Sequence, residues 1–555
     1  MTVSFRDLAE RVLDALLESI PEAATALGDH RFDDRLGDLS PEGVAASAEV
    51  LGDALTALDQ VEEADLDVED AVDLEILRTT VAARRWELTE LRAHEIDPLV
   101  HLPGDALYPL LGREIGDAEA RLRALAARMT AVPRRLEVAR RVLHDMPRVH
   151  VETAIVQTRG IAGMLGADLD TLLDRAPALR AEVLPARAAA LDALAEHTRW
   201  LEAALPTSDG DPRLGERLYA ARLWYTLDTE TTPDVVLTRA ESDLQAVEEE
   251  IAELASRIEK APQRPGQVRD VLDRLAAAAP VDDSTVLALN EQALADVTRR
   301  VRELDLVTVP DDPVRIIEMP ESRRGLAVAY CDPPGPLEPP GPAGPQPTLY
   351  AISPAPSDWS AERVASFYRE YNGHMLRNLA THEGVPGHLL QLGHSARHRA
   401  GRPDAAPVRV ALGSGTFIEG WAVYAESLIA GAGLGLGEDV DAGLRMHRLK
   451  TLLRTTINAI LDVRIHSRGM TEAEAMSLLL GRGHQEEGEA VGKVRRALLT
   501  SAQLTTYHVG WHEVSDVVRR LRASRPGATD RELHDAVLAN GSPSPRHLRR
   551  LLGLG

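Results

Sequence analysis

A mainly helical protein with one small β-sheet is the fold class this sequence predicts, and three observations predict it. Residues 1 to 310 place apolar side chains at helical spacing in stretch after stretch. Between 306 and 354 the pattern shifts to short β-branched runs bounded by proline. From Ala361 onward helical spacing returns and continues to the end.

Taken in order, the first 310 residues read as helix after helix. The clearest begins at Thr232, a side chain suited to capping, with Pro233 in the first turn. Val236, Ala240, Leu244, Val247, Ile251 and Leu254 follow on one face, with Glu248, Glu249 and Glu253 mostly elsewhere. Pro185 to Leu205 reads the same way, with the proline taken as the start. No fixed repeat period is present, which excludes a regular solenoid. The strand candidates are LVTVP (306–310), VRIIEMP (314–320), LAVAYCDP (326–333) and TLYAIS (348–353). Between the last two lies DPPGPLEPPGPAGPQP, Asp332 to Pro347, which proline bars from helix or central strand. It reads as a long exposed hairpin loop, in preference to a proline-rich recognition motif. Helices are then expected over 361–384, 388–399, 416–431, 441–468, 471–481, 489–502 and 510–523, with a short basic helix in the final SPSPRHLRRLLGLG. Thr471 and Glu474 form an expected capping box. The division is into 1–305, a helical region, and 306–555, a region with the sheet (306–354) and the motif-bearing helices. The two are expected to form one cleft-containing unit.

Composition narrows the function. Against 62 Lys and Arg stand 87 Asp and Glu, a formal charge of −25. That argues against a nucleic-acid backbone or an anionic membrane as the main partner. Cys331 is the one cysteine, so no internal disulfide forms. The start, MTVSFRDLAERVLDALLESI, is amphipathic and acidic, unlike a secretion signal, and no apolar run approaches the ~20 residues of a membrane span. A cytoplasmic protein is the default expectation.

The chemistry concentrates in THEGVPGHLLQ, Thr381 to Gln391. His382 and Glu383 are adjacent and His388 comes six residues later. Neighbouring His and Glu with a second His are how many zinc hydrolases begin their site: imidazoles hold the metal and the carboxylate takes a proton from the attacking water. Six residues at ~100° each leave a net ~240°, so an unbroken helix would part the two imidazoles. Pro386 and Gly387 must bulge or break it, which could return His388 toward His382. On spacing alone a kinked helix with two ordinary histidines fits equally well.

FIEGWAVYAESL shifts the balance. Glu419 and Glu426 are seven apart, on one helix face, among Phe417, Trp421 and Leu428. A site of two histidines and a carboxylate needs one Glu from a separate helix. The second Glu, ~10 Å along by helical rise, is better placed to orient an imidazole. Two further segments carry weaker signals. In ILDVRIHSRG, Asp462 and His466 are four apart and could hydrogen-bond; His466 serves equally as a substrate contact or a core histidine. In SAQLTTYHVG, Gln503, Tyr507 and His508 offer donors for an oxyanion.

At these residues the chain resembles the bacterial DUF885 family, of unknown function and related by motif to zinc peptidases. Its pattern is His-Glu-x-x-Pro-Gly-His-His-x-Gln, Glu-Gly-Trp-Ala-x-Tyr-x-Glu, Asp-x-Gly-x-His and Pro-Gly-Gln-Ala-x-Ser-Tyr-x-x-Gly. This chain supplies His382, Glu383, Pro386, Gly387, His388 and Gln391, then Glu419 through Glu426, Asp462 with His466, and Gln503 with Tyr507 and Gly510. The segments 24–40 and 231–236 are also family-like, so the resemblance covers almost the whole chain. It departs at Leu389, where a second His is frequent, at Arg464, at Ser501 and Ala502 in place of Pro-Gly, and at His508, where Lys is frequent. FIEGWAVYAE is also distantly similar to the Phe-x-Glu…Glu segment of thimet-type, gluzincin-related oligopeptidases, whose first Glu binds zinc.

The resemblance implies a large metallopeptidase-like helical fold with a deep channel and one small antiparallel sheet near the site. One zinc per chain would be held by His382, His388 and Glu419. Glu383 would be the general base and Tyr507 would steady the oxyanion, helped by His466 or His508. Glu426, Asp462 and Gln503 would stand behind them. The expected function is zinc-dependent hydrolysis of peptide or amide bonds in short peptides, without nucleic-acid or membrane partners. The strand TLYAIS could pair with an extended substrate. The alternatives are a non-catalytic binding protein that keeps the fold, or a specialised amide or ester hydrolase of biosynthesis. Oligomeric state is not legible in the sequence.

Overall fold

The structure is a computed structural model describing residues 4–113, 116–319, 328–339, 346–403 and 405–554. It is mainly helical, as expected, with a single three-stranded sheet among the described residues. The chain falls into two compact units. The first is Met1–Pro212 with Pro334–Gln346 and Asp404–Ala411; the second is Arg213–Pro333, Pro347–Pro403 and Leu412–Gly555. The change of character at 306 lies inside the second.

In the first unit the helices Ala118–Val142, Arg148–Arg175 and Arg180–Ala204 enclose a core of Leu122, Leu125, Met129, Leu165, Leu169, Leu173, Val183 and Leu194. Pro185 is not the start of its helix. The helix begins at Arg180, because Val183 belongs to the buried face and draws the preceding turn onto the core. Arg409, 2% exposed, pairs with Asp73 at 2.8 Å and with Glu69, so its buried charge is matched.

The proline-rich segment does link two antiparallel strands, but its described part is not a free loop. The Leu337 N–H donates to the Leu27 carbonyl at 2.8 Å, and Glu338 meets His30 Nε2 at 3.0 Å. Gly28, at φ +88°, makes room: a Cβ there would lie 2.3 Å from the Glu338 nitrogen. Residues 340–345 of the segment lie outside the described residues, as do Pro320, Leu326 and Ala327 of the strand candidates.

The second unit holds the sheet: β1 (Val314–Glu318), β2 (Ala329–Asp332) and β3 (Thr348–Ile352), in the order β1-β3-β2. The sheet is mixed, not antiparallel. β3 runs antiparallel to β2 and parallel to β1, with Val314 opposite Thr348. TLYAIS is therefore the central strand, and both its edges are taken. The run 306–310 forms no strand. Leu306 and Val307 are buried with Val297 and Val301, and Thr308 is tied to Asp535 through its N–H (2.9 Å) and hydroxyl (2.6 Å). β-branched residues here fill a core without a ladder partner.

The helical signals hold better. The Pro233–Glu259 helix is capped by Thr232 and buries the six predicted apolar residues. The expected helix 361–384 is in three pieces: Ala361–Glu370, Gly373–Leu379 and a π-helical turn Ala380–Gly384. Asn372 causes the first break, its side chain accepting from the N–H groups of His374 and Met375. The Glu438–Arg468 helix is buried along almost its whole length, and the Thr471–Glu474 capping box is present. One crossing positions the site. The helices Gly415–Ala432 and Thr505–Ser524 touch backbone to backbone at Gly420 and Gly510: a Cβ on Gly420 would lie 2.4 Å from the Gly510 carbonyl. Nothing larger fits, which gives the motif glycines a physical reason.

Candidate metal centre

The loop between the two histidines is built by short range sterics. The π-helical turn ends at Gly384, the Gly387 N–H bonds back to the Thr381 carbonyl at 3.0 Å, and a new helix starts at His388. A Cβ on Gly387 would sit 1.9 Å from the His382 carbonyl oxygen. The buried Trp421 indole closes the arrangement by donating to the Pro386 carbonyl at 2.7 Å. The imidazoles of His382 and His388 thereby face each other edge to face, 4.7 Å apart.

Glu419 completes the cluster from its own helix. Its Oε2 lies 3.4 Å from His382 Nε2 and 3.5 Å from His388 Nε2. Those separations exceed an ordinary N–H···O bond. They match the edge of a tetrahedron with zinc bonds of ~2.1 Å, which is about 3.4 Å. Glu419 Oε2 is sealed from solvent and has no hydrogen-bond partner. A buried carboxylate oxygen left without a donor is costly, so the residues present fit a cation held among them.

Behind the cluster, Glu426 is 2% exposed and fully engaged. Its Oε1 meets His382 Nδ1 at 2.7 Å, its Oε2 accepts from Asn378 at 3.1 Å, and Arg448 stands 3.5 Å away. His382 Nδ1 therefore carries a proton, and its Nε2 faces Glu419 Oε2. Burial opposes charge on His382, yet Glu419 and Glu426 outweigh it and push the imidazole up to about 10. Burial would raise Glu419 and Glu426 as well, but His382 and His388 hold Glu419, and His382 with Arg448 and Asn378 holds Glu426, below the usual carboxylate range.

Glu383, adjacent in sequence, is only partly buried. Loss of solvation, with Glu419 adding, raises its carboxyl above the ordinary value, opposed by His388, His382 and the backbone amide of Cys331 on β2. Tyr507 stacks 6.4 Å from His382, and its hydroxyl meets Arg496 at 3.2 Å and Gln503 at 3.4 Å. Burial first, then Glu419, pushes the phenol up to about 12.

Three expectations need correction. Asp462 does not bond His466. Its carboxylate takes the N–H groups of Ala502 (2.9 Å), Leu504 (2.9 Å) and Thr505 (3.3 Å), anchoring the start of the helix that carries Tyr507. His466 is a structural residue: Nε2 meets the carbonyls of Ala497 (2.8 Å) and Thr500 (2.9 Å), and the ring stacks on Tyr219. His508, fully buried, bonds Asp243 at 2.8 Å and is not an oxyanion donor for this cluster. Conversely, sequence reasoning passed over Asn378, Arg448, Arg496 and the indole of Trp421. Asn378 sits four residues before His382, a helical-face signal; Arg448 and Arg496 gave none.

The fold and site together define a mainly helical protein carrying a His–His–Glu cluster at metal-ligand spacing. The chain belongs to the DUF885 family, bacterial proteins of unknown function, whose sequence model matches residues 21–552. No curated protein matches it. Among solved structures it is similar to one described as a candidate lipoprotein of unknown function from Shewanella oneidensis, at 25% identity and TM-score 0.81 over 99% of this chain and 100% of that one. It shares its fold with another candidate lipoprotein, from Colwellia psychrerythraea, at 16% identity and TM-score 0.78 over 99% and 98%. These relatives overturn the cytoplasmic expectation, since lipoproteins are membrane-anchored. That expectation rested on a lone cysteine and an acidic start, neither of which fixes a compartment. Among the described residues no helix is long and apolar enough to cross a membrane.

Proposed function

We propose that this chain is a zinc-dependent hydrolase of peptide or related amide bonds in short substrates. One observation carries the reading: Glu419 Oε2, buried and without a donor, stands at ligand spacing from two imidazole nitrogens. A zinc ion held by His382, His388 and Glu419 would supply Lewis acidity toward a carbonyl and bring the pKa of water to ~7.

The chain's own residues divide the remaining work. Glu426 fixes the His382 tautomer and ring plane. Glu383, its carboxyl raised above the ordinary value, suits a base that takes a proton from water and returns it to the leaving amine. Tyr507 keeps its proton at neutral pH and can donate it to the oxyanion of the tetrahedral adduct. Arg496 and Gln503 hold the phenol in place. An extended substrate would align along β2, the edge strand whose Cys331 amide approaches Glu383. The likeness to thimet-type oligopeptidases favours short peptides.

The test is a peptide-library digest read by mass spectrometry, beside zinc stoichiometry. Wild type cleaves and holds zinc. Glu383→Gln keeps zinc and loses ~10²–10⁴ in rate, and Tyr507→Phe keeps zinc and loses ~10²–10³. A wild type without stoichiometric zinc, in which Glu383→Gln changes no tested activity, refutes catalysis at this cluster and leaves a binding protein. A zinc-holding enzyme that ignores the library is a specialised amide or ester hydrolase.

A further inference from the structure

A second His–His–carboxylate cluster lies in the same unit and shares no residue with the first. His508 and His512 are four apart on the Thr505–Ser524 helix, so both imidazoles leave one face. Across from them, Asp243 projects from the Pro233–Glu259 helix. His508 Nε2 is 2.8 Å and His512 Nε2 2.6 Å from the same oxygen, Asp243 Oδ2. The two rings stand 4.8 Å apart at 74°, close to the 4.7 Å and 85° of His382 and His388.

We propose that Asp243, His508 and His512 form a second divalent-cation site, of the zinc class, that fastens these two helices together. The residue types and the i, i+4 histidine spacing are those of helix-borne zinc sites. Convergence is the telling feature. One carboxylate oxygen can accept from two N–H donors, and the same convergence of two imidazole nitrogens and an acid on one point is what a shared cation needs. A cation with bonds of ~2.1 Å needs ligands about 3.4 Å apart, which side-chain torsions supply without moving either helix. The His508 side chain is fully buried, while His512 and Asp243 are 25% and 26% exposed. Three protein ligands with one solvent-facing side leave a fourth position for water. The ring of Trp511, 4.6 Å from His512, braces that imidazole.

The consequence reaches the first cluster through the chain. Tyr507 directly precedes His508, so a cation here would pin the helix start that presents the phenol to His382. The inference stands whether or not the first cluster is catalytic, and the experiment separates the two.

Zinc per chain is measured by elemental analysis after dialysis of tag-free wild type, His512→Ala, His388→Ala and the double variant, each with its thermal melt. His512 is partly exposed, so its replacement leaves packing intact; Asp243→Asn, of the same shape, is the second probe. The expected stoichiometries are two, one, one and none, with zinc raising the melting point of His388→Ala but not of the double variant. Loss of all zinc in His388→Ala overturns the second site, as does unchanged stoichiometry in both His512→Ala and Asp243→Asn. One zinc in wild type that survives His388→Ala and is lost in the double variant keeps the second site and refutes the first.

Discussion

The cluster of His382, His388 and Glu419 and that of His508, His512 and Asp243 each aim two imidazole nitrogens at one carboxylate oxygen. The first holds them 3.4 and 3.5 Å away. The second lets them close to 2.8 and 2.6 Å. Both clusters pair two imidazoles with one carboxylate, Glu419 in the first and the shorter Asp243 in the second, and they differ further in what stands behind them. His382 is gripped by Glu426, and Glu426 by Asn378 and Arg448. The His388 end is held by Gly387 against the Thr381 carbonyl and by Trp421 on Pro386. His508 and His388 each have a buried Nδ1 without a partner, so what sets the first cluster apart is the carboxylate behind His382, which neither imidazole of the second cluster has on its far nitrogen. Preorganisation here is a property of the outer layer rather than of the ligands.

The largest expected effect strikes the frame both clusters share. Gly420→Ala puts a methyl 2.4 Å from the Gly510 carbonyl, and backbone cannot turn aside as a side chain does. Overpacking of this kind costs about 3 kcal/mol. The two helices carry Glu419, Glu426, Tyr507, His508 and His512, so zinc affinity should fall at both clusters along with the melting temperature. A variant that melts like wild type would show that the helices do not touch there.

A smaller change separates the clusters. Glu426→Gln keeps the shape but gives up the charge that holds His382 Nδ1–H. Zinc affinity of the first cluster should drop ~10–100-fold, and that of the second should not move. Competition against a chromophoric chelator, in the His512→Ala background for the first cluster and the His388→Ala background for the second, reads each alone. Equal losses at both would mean that the layer behind His382 is not what sets the spacing.

How much of this was legible depends on range. Local signals were: the stripe from Val236 to Leu254, the Thr471 cap, and the need for a deformation at Pro386–Gly387. Misreadings came where tertiary partners decide. Leu306 and Val307 look like a strand yet serve a helical core. β1 pairs parallel with β3 on the edge that β2 leaves open. Asn372 breaks a helix that periodicity alone would continue. At the site, the motifs singled out His382, His388 and Glu419, which the fold brings together, while the side chains that hold them are distant in sequence. Asp243 lies 265 residues from His508, and no local pattern announces the pairing. Ala502 is a subtler case. It adopts φ +62°, a left-handed conformation that glycine takes freely. That is why the family pattern writes Gly where this chain has Ala.

A third pair of imidazoles in the same unit sharpens the comparison by lacking a carboxylate. His374 and His447 stack 5.4 Å apart, both buried. His447 Nδ1–H donates to the Gly443 carbonyl at 2.8 Å, and its Nε2 accepts from Asn372 at 2.8 Å. An amide donor on Nε2 requires a neutral ring. Burial first, with Lys450 and His374 adding, holds His447 down at about 3, against the Gly443 bond. The same burial, without an acid to oppose it, thus gives the reverse of the shift at His382. The sign follows directly. As pH falls below ~6.5 the unfolded chain takes a proton that the fold refuses, so stability is present above that value and drains away toward pH 3. Between pH 6.5 and 5 this residue should withdraw about 2 kcal/mol, at ~1.4 kcal/mol per pH unit. Replacing it, as in His447→Gln, lowers stability at neutral pH but removes that share of the acid slope. The urea midpoint of the variant should therefore change less between pH 7 and pH 5 than that of wild type. Equal changes in the two proteins would mean that His447 is protonated in the fold, and that burial without a carboxylate does not keep an imidazole neutral here.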